Sequence, residues 1–448
     1  MKSARLSVLS SCVLATTLFA AASHAQSGID ARATNTTLLI ESSQLTAAPT
    51  YEFGRVFPRL ELPPIVKLRQ FGNEFYALAI NGLLFSFPAE TDPDPSSLQL
   101  RLNVQSLLGT TEPQDQGTYC FAFDPNFAEN SKVYINYASN VQDRLTLSRF
   151  TLGGDPVEAA ASEELLLRAD VPTAFLHYGG TVEFGPDGFL YFSTGDGNRG
   201  INAQEPNNLL GKMLRLDVTS ETANPYAIPA SNPFVGVAGY REEIYALGLR
   251  NPYRFSFAPD GRIFLGDPGE EVMEEVNVVE KGGNYGWPFL EGTGVHENSL
   301  QADRADLKAP FHTYNPEGRQ AIIGGYVYTG AIDSLSGKYL FGDFSSGNLI
   351  AITMVENTVT SEEVLASIGG LLGALHEDAA GEIYATNFAP PSIFRLRTAP
   401  QAVSVENQVQ GLLGEGTVVD LNTDGVGDAA DVNAAVEGRT TTFFSRTN

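Results

Sequence analysis

The chain has 448 residues with 53 acidic against 28 basic side chains, a formal net charge of −25. That charge repels phosphate, which excludes nucleic acid as a partner, and it suits a soluble protein or one that binds cations. Forty-four Gly, 25 Pro and 10% aromatic residues fit many short strands joined by tight turns, and the length could hold two or three average domains or one large all-β domain.

The N-terminus sets the expected location. Lys2 and Arg5 make a short basic region, an apolar stretch runs from Val8 to Ala22, and Ser23-His24-Ala25 has the small-x-small form of a cleavage site. A Sec signal peptide is expected over 1–25, cleaved after Ala25, and with it a secreted or periplasmic protein. Leu9-Ser10-Ser11-Cys12 would suit a lipoprotein signal, but the apolar region follows Cys12 instead of preceding it. No later run approaches the roughly 18 apolar residues of a membrane span. With Cys12 in the leader, Cys120 is the only cysteine left, so an intrachain disulfide is excluded. Within YCFAF it reads as a buried small hydrophobe.

Residues 26–52 are rich in Thr, Ser and Ala without periodicity and read as a flexible lead-in. From Phe53 short apolar or alternating runs recur: EFYALAINGLLFSF, KVYINYAS, LTLSRF, FLYFSTGD, EIYALGLR, RIFLGDPG, GGYVYTG, KYLFGDF, NLIAITM, EIYATNF and IFRLR. Each is bounded by Gly, Pro, Asp or Asn, which supply turns, and no stretch keeps a helical period over three turns. One unit repeats, a turn followed by an aromatic β-rich strand, in FDPNFAENSKVYINY, FGPDGFLYFSTGD, FAPDGRIFLGDPG and HEDAAGEIYATNF. Three strands are expected to end in Gly-Asp, at Asp196, Asp267 and Asp343. Such recurrence predicts radial repetition, a β-propeller over 53–399; a pair of β-sandwiches explains the repeated unit less well.

After about Ala399 a linker leads to DLNTDGVGDAADV. Asp420, Asn422, Asp424, Asp428 and Asp431 take loop positions 1, 3, 5, 9 and 12 around a Gly425 turn, a pattern that wraps a hard cation such as Ca2+. The string resembles the calcium loops of dockerins and thrombospondin type 3 repeats, though it occurs once and ends in Asp rather than Glu. A solvated acidic turn is the alternative.

Oxidising a hydroxyl group needs a base for the O–H proton and an acceptor for hydride. A neutral His suits the first role near pH 7, and a carboxylate on its second ring nitrogen would orient it. Side chains cannot accept hydride, so a cofactor must. No dinucleotide fingerprint and no βαβ pattern is present to hold a nicotinamide. The remaining histidines of the mature chain, His296, His312 and His376, have no ligand-like spacing, which argues against a zinc site.

The strings HYGGTVEFGPDGFLYFSTGDGN, YALGLRNPYRFSFAPDGRIFLGDPG and KGGNYGWP, in that order, resemble the glucose/sorbosone dehydrogenase family of secreted quinoprotein sugar dehydrogenases, which includes soluble aldose dehydrogenases and hedgehog-interacting-protein-like propellers. The resemblance runs from about Phe53 to Arg397. It implies six blades, with pyrroloquinoline quinone (PQQ) held over one mouth by Ca2+. In that picture His177 matches the catalytic base and Asp196 its carboxylate partner. Arg250 matches the arginine near the reduced quinone, with Asn251 beside it. Asp267-Pro268-Gly269-Glu270 matches the loop whose backbone carbonyls, those of Gly269 and Glu270, hold the cofactor's Ca2+.

The chain departs from the family in several places. Tyr178 follows His177 where Asn or Gln is usual, and Asp115, near a motif reading Gly117-Thr118-Tyr119-Cys120, stands at a cofactor-binding position usually occupied by Gln or Glu. The lysine and the arginine pair that grip the cofactor's carboxylates are replaced by Ser345-Ser346 and Leu371-Leu372-Gly373, with Arg319 or Lys338 as substitute cations. Bland readings stand beside the chemical ones. His177 would serve as a turn-bonding residue, Arg250 would tie two blades together, at least two of the three Gly-Asp aspartates would close turns onto backbone N–H groups, and Trp287 would anchor the core between blades. Two functions follow: an exported dehydrogenase of aldose sugars using PQQ and Ca2+ and passing electrons to an unknown acceptor, or a non-catalytic propeller that binds carbohydrate or protein. A cell-surface attachment protein that docks through its tail is a third.

Overall fold

The structure is a computed structural model that describes residues 50–108, 117–139, 144–170, 176–220, 225–296, 302–315 and 321–399. The expected signal peptide, the lead-in up to residue 49, Asp115, Arg319, and the tail with Asp420, Asn422, Asp424, Asp428 and Asp431 lie outside the described residues.

Six antiparallel four-stranded sheets form the six blades of a β-propeller, and the few helices are one or two turns long. The first strands of blades one to six are Ile65–Phe71, Gly117–Phe123, Val182–Phe184, Arg254–Phe257, Ile322–Val327 and Leu372–Glu377. They touch one another around the central channel. Flanked on both faces by neighbouring blades, they are buried almost throughout; the first six residues of Gly117–Phe123 are all buried. Cys120 sits among them as a buried free thiol, as expected. The core lies between blades: Tyr134, Leu145 and Leu147 of the second blade pack against Val182, Leu190 and Phe192 of the third. Outer strands are wetter, and most of Thr358–Ser367 is exposed.

The repeated unit of the sequence is the hairpin between a blade's first and second strands. In the third, fourth and sixth blades the turn aspartate accepts the backbone N–H two residues on: Asp187 from Phe189, Asp260 from Arg262 and Asp378 from Ala380. The following Gly188, Gly261 and Gly381 sit at φ of 80°, 86° and 78°, where any Cβ would be strained. In the second blade Asp124 accepts from Asn126 in the same way, and a short helical turn, Phe127–Asn130, replaces the glycine.

The ring is closed by strand Tyr51–Val56, which pairs antiparallel with Pro391–Thr398, from Tyr51 opposite Thr398 to Val56 opposite Ile393. Tyr51 and Glu52 therefore belong to the propeller and not to the lead-in, whose expected end at 52 is two residues too late. Their polar composition hides the strand, because what holds them is ladder pairing to a segment more than 300 residues away.

The fourth blade reaches its outer strand, His312–Tyr314, only after an excursion from 280 to 311 that includes the ribbon Leu290–Glu291 with Gly294–Val295. This excursion supplies groups to the candidate site.

Candidate active site

His177 precedes the first strand of the third blade, and Asp196 follows that blade's second strand, Leu190–Thr194. The two ends lie side by side, and His177 Nδ1 is 2.8 Å from Asp196 Oδ1. His177 has a φ of 59°, a left-handed conformation uncommon for a residue with a side chain. The neighbouring strand end over-determines it. Gly197 donates its N–H to the His177 carbonyl at 3.2 Å, and a Cβ on Gly195 would lie 2.1 Å from that oxygen. The glycine of Gly195-Asp196 is thus what lets the histidine backbone cross the strand end.

Asp196 is buried and fully engaged. Its Oδ1 also accepts the Asn198 N–H at 2.8 Å, and its Oδ2 accepts Trp287 Nε1–H at 2.8 Å. Trp287, expected only as a core anchor, therefore orients the carboxylate. A buried indole N–H is a donor that needs an acceptor, and that rule was the one available signal for its role. Tyr178 turns away from His177 into the buried core between the second and third blades.

Arg250 enters from the loop ahead of the fourth blade. Its backbone carbonyl accepts the Asp196 N–H at 2.7 Å, its Nη1 donates to the Pro268 carbonyl at 3.2 Å, and its guanidinium lies 5.4 Å from the Trp287 ring centroid. Its Nε is buried without a partner among the described residues. His177, Asp196 and Arg250 thus lie together at one mouth. Asn251 Oδ1 accepts the Gly179 N–H at 3.0 Å, which fixes the loop carrying His177.

Of the three Gly-Asp aspartates, Asp343 closes its own turn onto the Ser346 N–H at 2.9 Å. Asp267 instead reaches across to the N–H groups of Arg250 and Asn251, at 2.8 and 2.6 Å. Burial, helped by the charge of Asp196, pushes the Asp267 carboxyl up to about 6 against these donors.

The loop after Asp267 is wrapped around a carboxylate that no sequence motif singles out. Glu291 Oε1, from the excursion, accepts the N–H groups of Glu270, Glu271, Val272 and Met273 at 2.9, 2.9, 2.8 and 3.1 Å. Burial opposes its charge, but the four donors hold its pKa below the usual carboxylate value. A Cβ on Gly269 would lie 2.0 Å from the Met273 carbonyl and 2.5 Å from Glu291 Oε1, so only glycine closes this loop. With its N–H groups turned inward, the loop leaves the Gly269 and Glu270 carbonyl oxygens without a hydrogen-bond donor among the described residues. His296 stacks on Trp287 at 4.8 Å between ring centroids, and its Nε2 lies 3.4 Å from Glu270 Oε2.

The other side of the mouth lacks cations among the described residues. Ser346 is taken up by Asp343, which accepts both its N–H and its hydroxyl. Leu371 is partly exposed, and a Cβ on Gly373 would lie 2.3 Å from the Phe388 ring. Lys338 pairs with Glu363 at 2.6 Å at the turn leading out of the far end of the fifth blade's first strand, so it is excluded as a substitute cation.

Residues 99–391 match the family described as Glucose / Sorbosone dehydrogenase. The chain is 41% identical over 197 residues to the HIPL2 protein of Arabidopsis thaliana, covering 37% of this chain and 28% of that protein. It is 30% identical over 286 residues to the aldose sugar dehydrogenase YliI of Escherichia coli, covering 58% of this chain and 74% of that protein. The chain spans less than a third of the length of the plant relatives it matches. Among solved structures, the soluble aldose sugar dehydrogenase from Escherichia coli in its apo form superposes with a TM-score of 0.64 at 20% identity, over 78% of this chain and 100% of that one; this likeness bears on the fold.

Proposed function

Because the chain belongs to the glucose/sorbosone dehydrogenase family, we propose that it is an exported oxidoreductase that acts on an aldose sugar with PQQ and Ca2+ as cofactors. The observation that carries this reading is the His177–Asp196 pair at 2.8 Å. His177 Nε2 takes the proton of the sugar hydroxyl. Asp196 holds Nδ1–H and stabilises the imidazolium that forms, and Trp287 and the Asn198 N–H keep Asp196 in place. PQQ, when bound, supplies the hydride acceptor, and electrons then leave to an acceptor outside the chain. The Gly269 and Glu270 carbonyls would hold Ca2+, since hard cations take oxygen ligands and both oxygens lack donors among the described residues. Arg250, whose Nε has no partner among the described residues, would face negative charge on the cofactor, with Asn251 fixing the neighbouring loop and Asp115 as a further cofactor-binding residue.

The residues present fit the reacting end of the group. They do not fit its three carboxylates, where Ser345-Ser346, Leu371 and Gly373 stand in place of cations. Each missing charge-assisted bond is worth about 1.5–3 kcal/mol, so cofactor affinity is expected to fall well below that typical of the family. Export rests on the leader over 1–25; among the described residues no helix is long and apolar enough to cross a membrane. Ca2+ binding by the Asp420–Asp431 loop would order the tail, and protection from proteolysis by Ca2+ but not by chelator tests it.

Reconstitution with PQQ and Ca2+ tests the proposal, with calorimetry for cofactor binding and dye reduction across several aldoses for activity. His177→Gln is expected to lower turnover by roughly 10²–10⁴-fold with cofactor binding retained, whereas Arg250→Ala weakens both. The second reading, a non-catalytic propeller that binds carbohydrate or protein, is favoured by the apolar Leu371 and the Gly373–Phe388 contact. It takes over if calorimetry at high PQQ and Ca2+ detects no binding.

A further inference from the structure

The mouth of the channel remote from His177 contains a cavity of about 290 Å³. His177, Arg250 and Leu371 all precede the first strands of their blades. The cavity is lined by those same strands, from their middles, with Lys67 of the first blade and Glu183 of the third, to their far parts, with Arg69 of the first, Phe257 of the fourth, Tyr326 of the fifth and Glu377 of the sixth. Between the two mouths stands Arg254, buried on the channel axis. Its Nη2 donates to the carbonyls of Val66 and Tyr119, both at 3.0 Å, and its Nη1 to those of Tyr253 at 3.1 Å and Gly180 at 3.4 Å. One guanidinium thus joins four blades between the two mouths, and the far cavity shares no lining residue with the site around His177.

The cavity is built from buried charge. The Lys67 side chain is 5% exposed. Among the described residues its ammonium donates only to the Tyr326 hydroxyl, at 3.2 Å, with Glu183 4.0 Å away. Arg69 pairs with Glu183, and Glu377 accepts the Thr329 hydroxyl at 3.3 Å. Three carboxylates, Glu183, Glu377 and Asp378, face two cations, which disfavours an anion. Lys67, with donors left over, and Glu377, with acceptor capacity, line the same cavity as the half-buried rings of Phe184, Phe257 and Tyr326. Such a wall matches a molecule that presents hydroxyl groups on one side and C–H surface on another. The volume sits at the low end of small-molecule sites, about 300–1,000 Å³, enough for one sugar-sized ring. We propose that this far mouth is a second binding site, for a neutral polyhydroxy compound of monosaccharide size, independent of the chemistry at His177.

The test is calorimetric titration of the full chain in a His177→Gln/Arg250→Ala background, with D-glucose as the neutral probe and D-gluconate as the anionic one. Glucose is expected to bind in that background. Adding Glu377→Gln or Lys67→Met should weaken it about 10-fold or more, with the melting temperature of the Glu377→Gln protein unchanged. If Lys67→Met fails to fold, Glu377→Gln on the cavity wall decides alone. Absence of glucose binding in the background, glucose binding that ignores both substitutions, or gluconate binding tighter than glucose each overturns the proposal.

Discussion

Asp196 has one side chain, three hydrogen-bond donors and no access to water. Its Trp287 bond is the least obvious from the sequence and the easiest to remove. Trp287→Phe keeps the ring but leaves Asp196 Oδ2 without its donor, and an unsatisfied buried acceptor costs about 1–3 kcal/mol. Urea denaturation should show a loss of that size; an unchanged midpoint would mean the bond does not hold the carboxylate. A second buried acid predicts a pH dependence. Burial first, then the charge of Asp267, pushes Glu275 up to about 8, against bonds from Asn277 and the Gly292 N–H. The folded state therefore keeps a proton that the unfolded chain releases near the ordinary glutamate value. Stability from this group is complete at low pH and is lost as pH rises towards about 8. Melting temperature should fall between pH 6 and pH 9 in the wild type, and Glu275→Gln should flatten that fall. The amide is accommodated because Asn277 Oδ1 has no partner among the described residues, so rotation of Asn277 lets it accept the new N–H. The His–Asp pairing was legible only through the family resemblance of the motifs that carry the two residues. Trp287 and Glu291 were not, because they come from an excursion whose path no local pattern encodes, while their partners lie outside it.

The loop Gly200–Gln204, between the second and third strands of the third blade, shows the same division at the scale of an element. Asn202 in this loop donates to the Asp196 carbonyl at 2.8 Å, so the loop backs the candidate site. Buried Lys212 holds it, donating to the carbonyls of Asn202, Ala203 and Leu210 at 2.7, 3.1 and 2.6 Å. Lys212→Met leaves all three oxygens without that donor and should lower stability by about 3 kcal/mol or more, read as a shifted urea midpoint. Retained stability would show that water replaces the ammonium. Strands were recognised where aromatic and β-branched residues alternate, as in KVYINYAS and EIYATNF. They were missed where charge lies inside, as in Ile65–Phe71, which carries Lys67 and Arg69, and Glu274–Val279, which opens on two buried acids. Hydrophobic patterning cannot register a charge whose burial is compensated by partners from other blades. Thr358–Ser367 was missed for the opposite reason: it is an outer strand with a mostly exposed, polar face.

The whole ring was legible because one hairpin repeats with the same aspartate turn, and radial repetition has few solutions. Its closure was not, since the closing strand carries no repeat of its own. Tyr51–Val56 pairs with Pro391–Thr398 along six residue pairs, and Ala399 adds a bond to the Thr50 carbonyl at 2.8 Å. Phe53 and Tyr51 pack against the cluster that holds Leu375, Ile383 and Leu396. Closure therefore ties the two ends of the described propeller together, and the sixth blade has no outer strand without it. A chain that starts at Phe57 should lose these ladder bonds, at about 0.5–1.5 kcal/mol net each, and should expose Pro391–Thr398 as an open edge ready to pair with another chain. A chain that starts at Pro49 keeps the closure and serves as the control. The expected outcome is a lower urea midpoint together with concentration-dependent association on size-exclusion chromatography for the shorter chain alone. Equal midpoints for the two chains would show that the ring holds without its closing strand, and that the packing between blades carries the stability by itself.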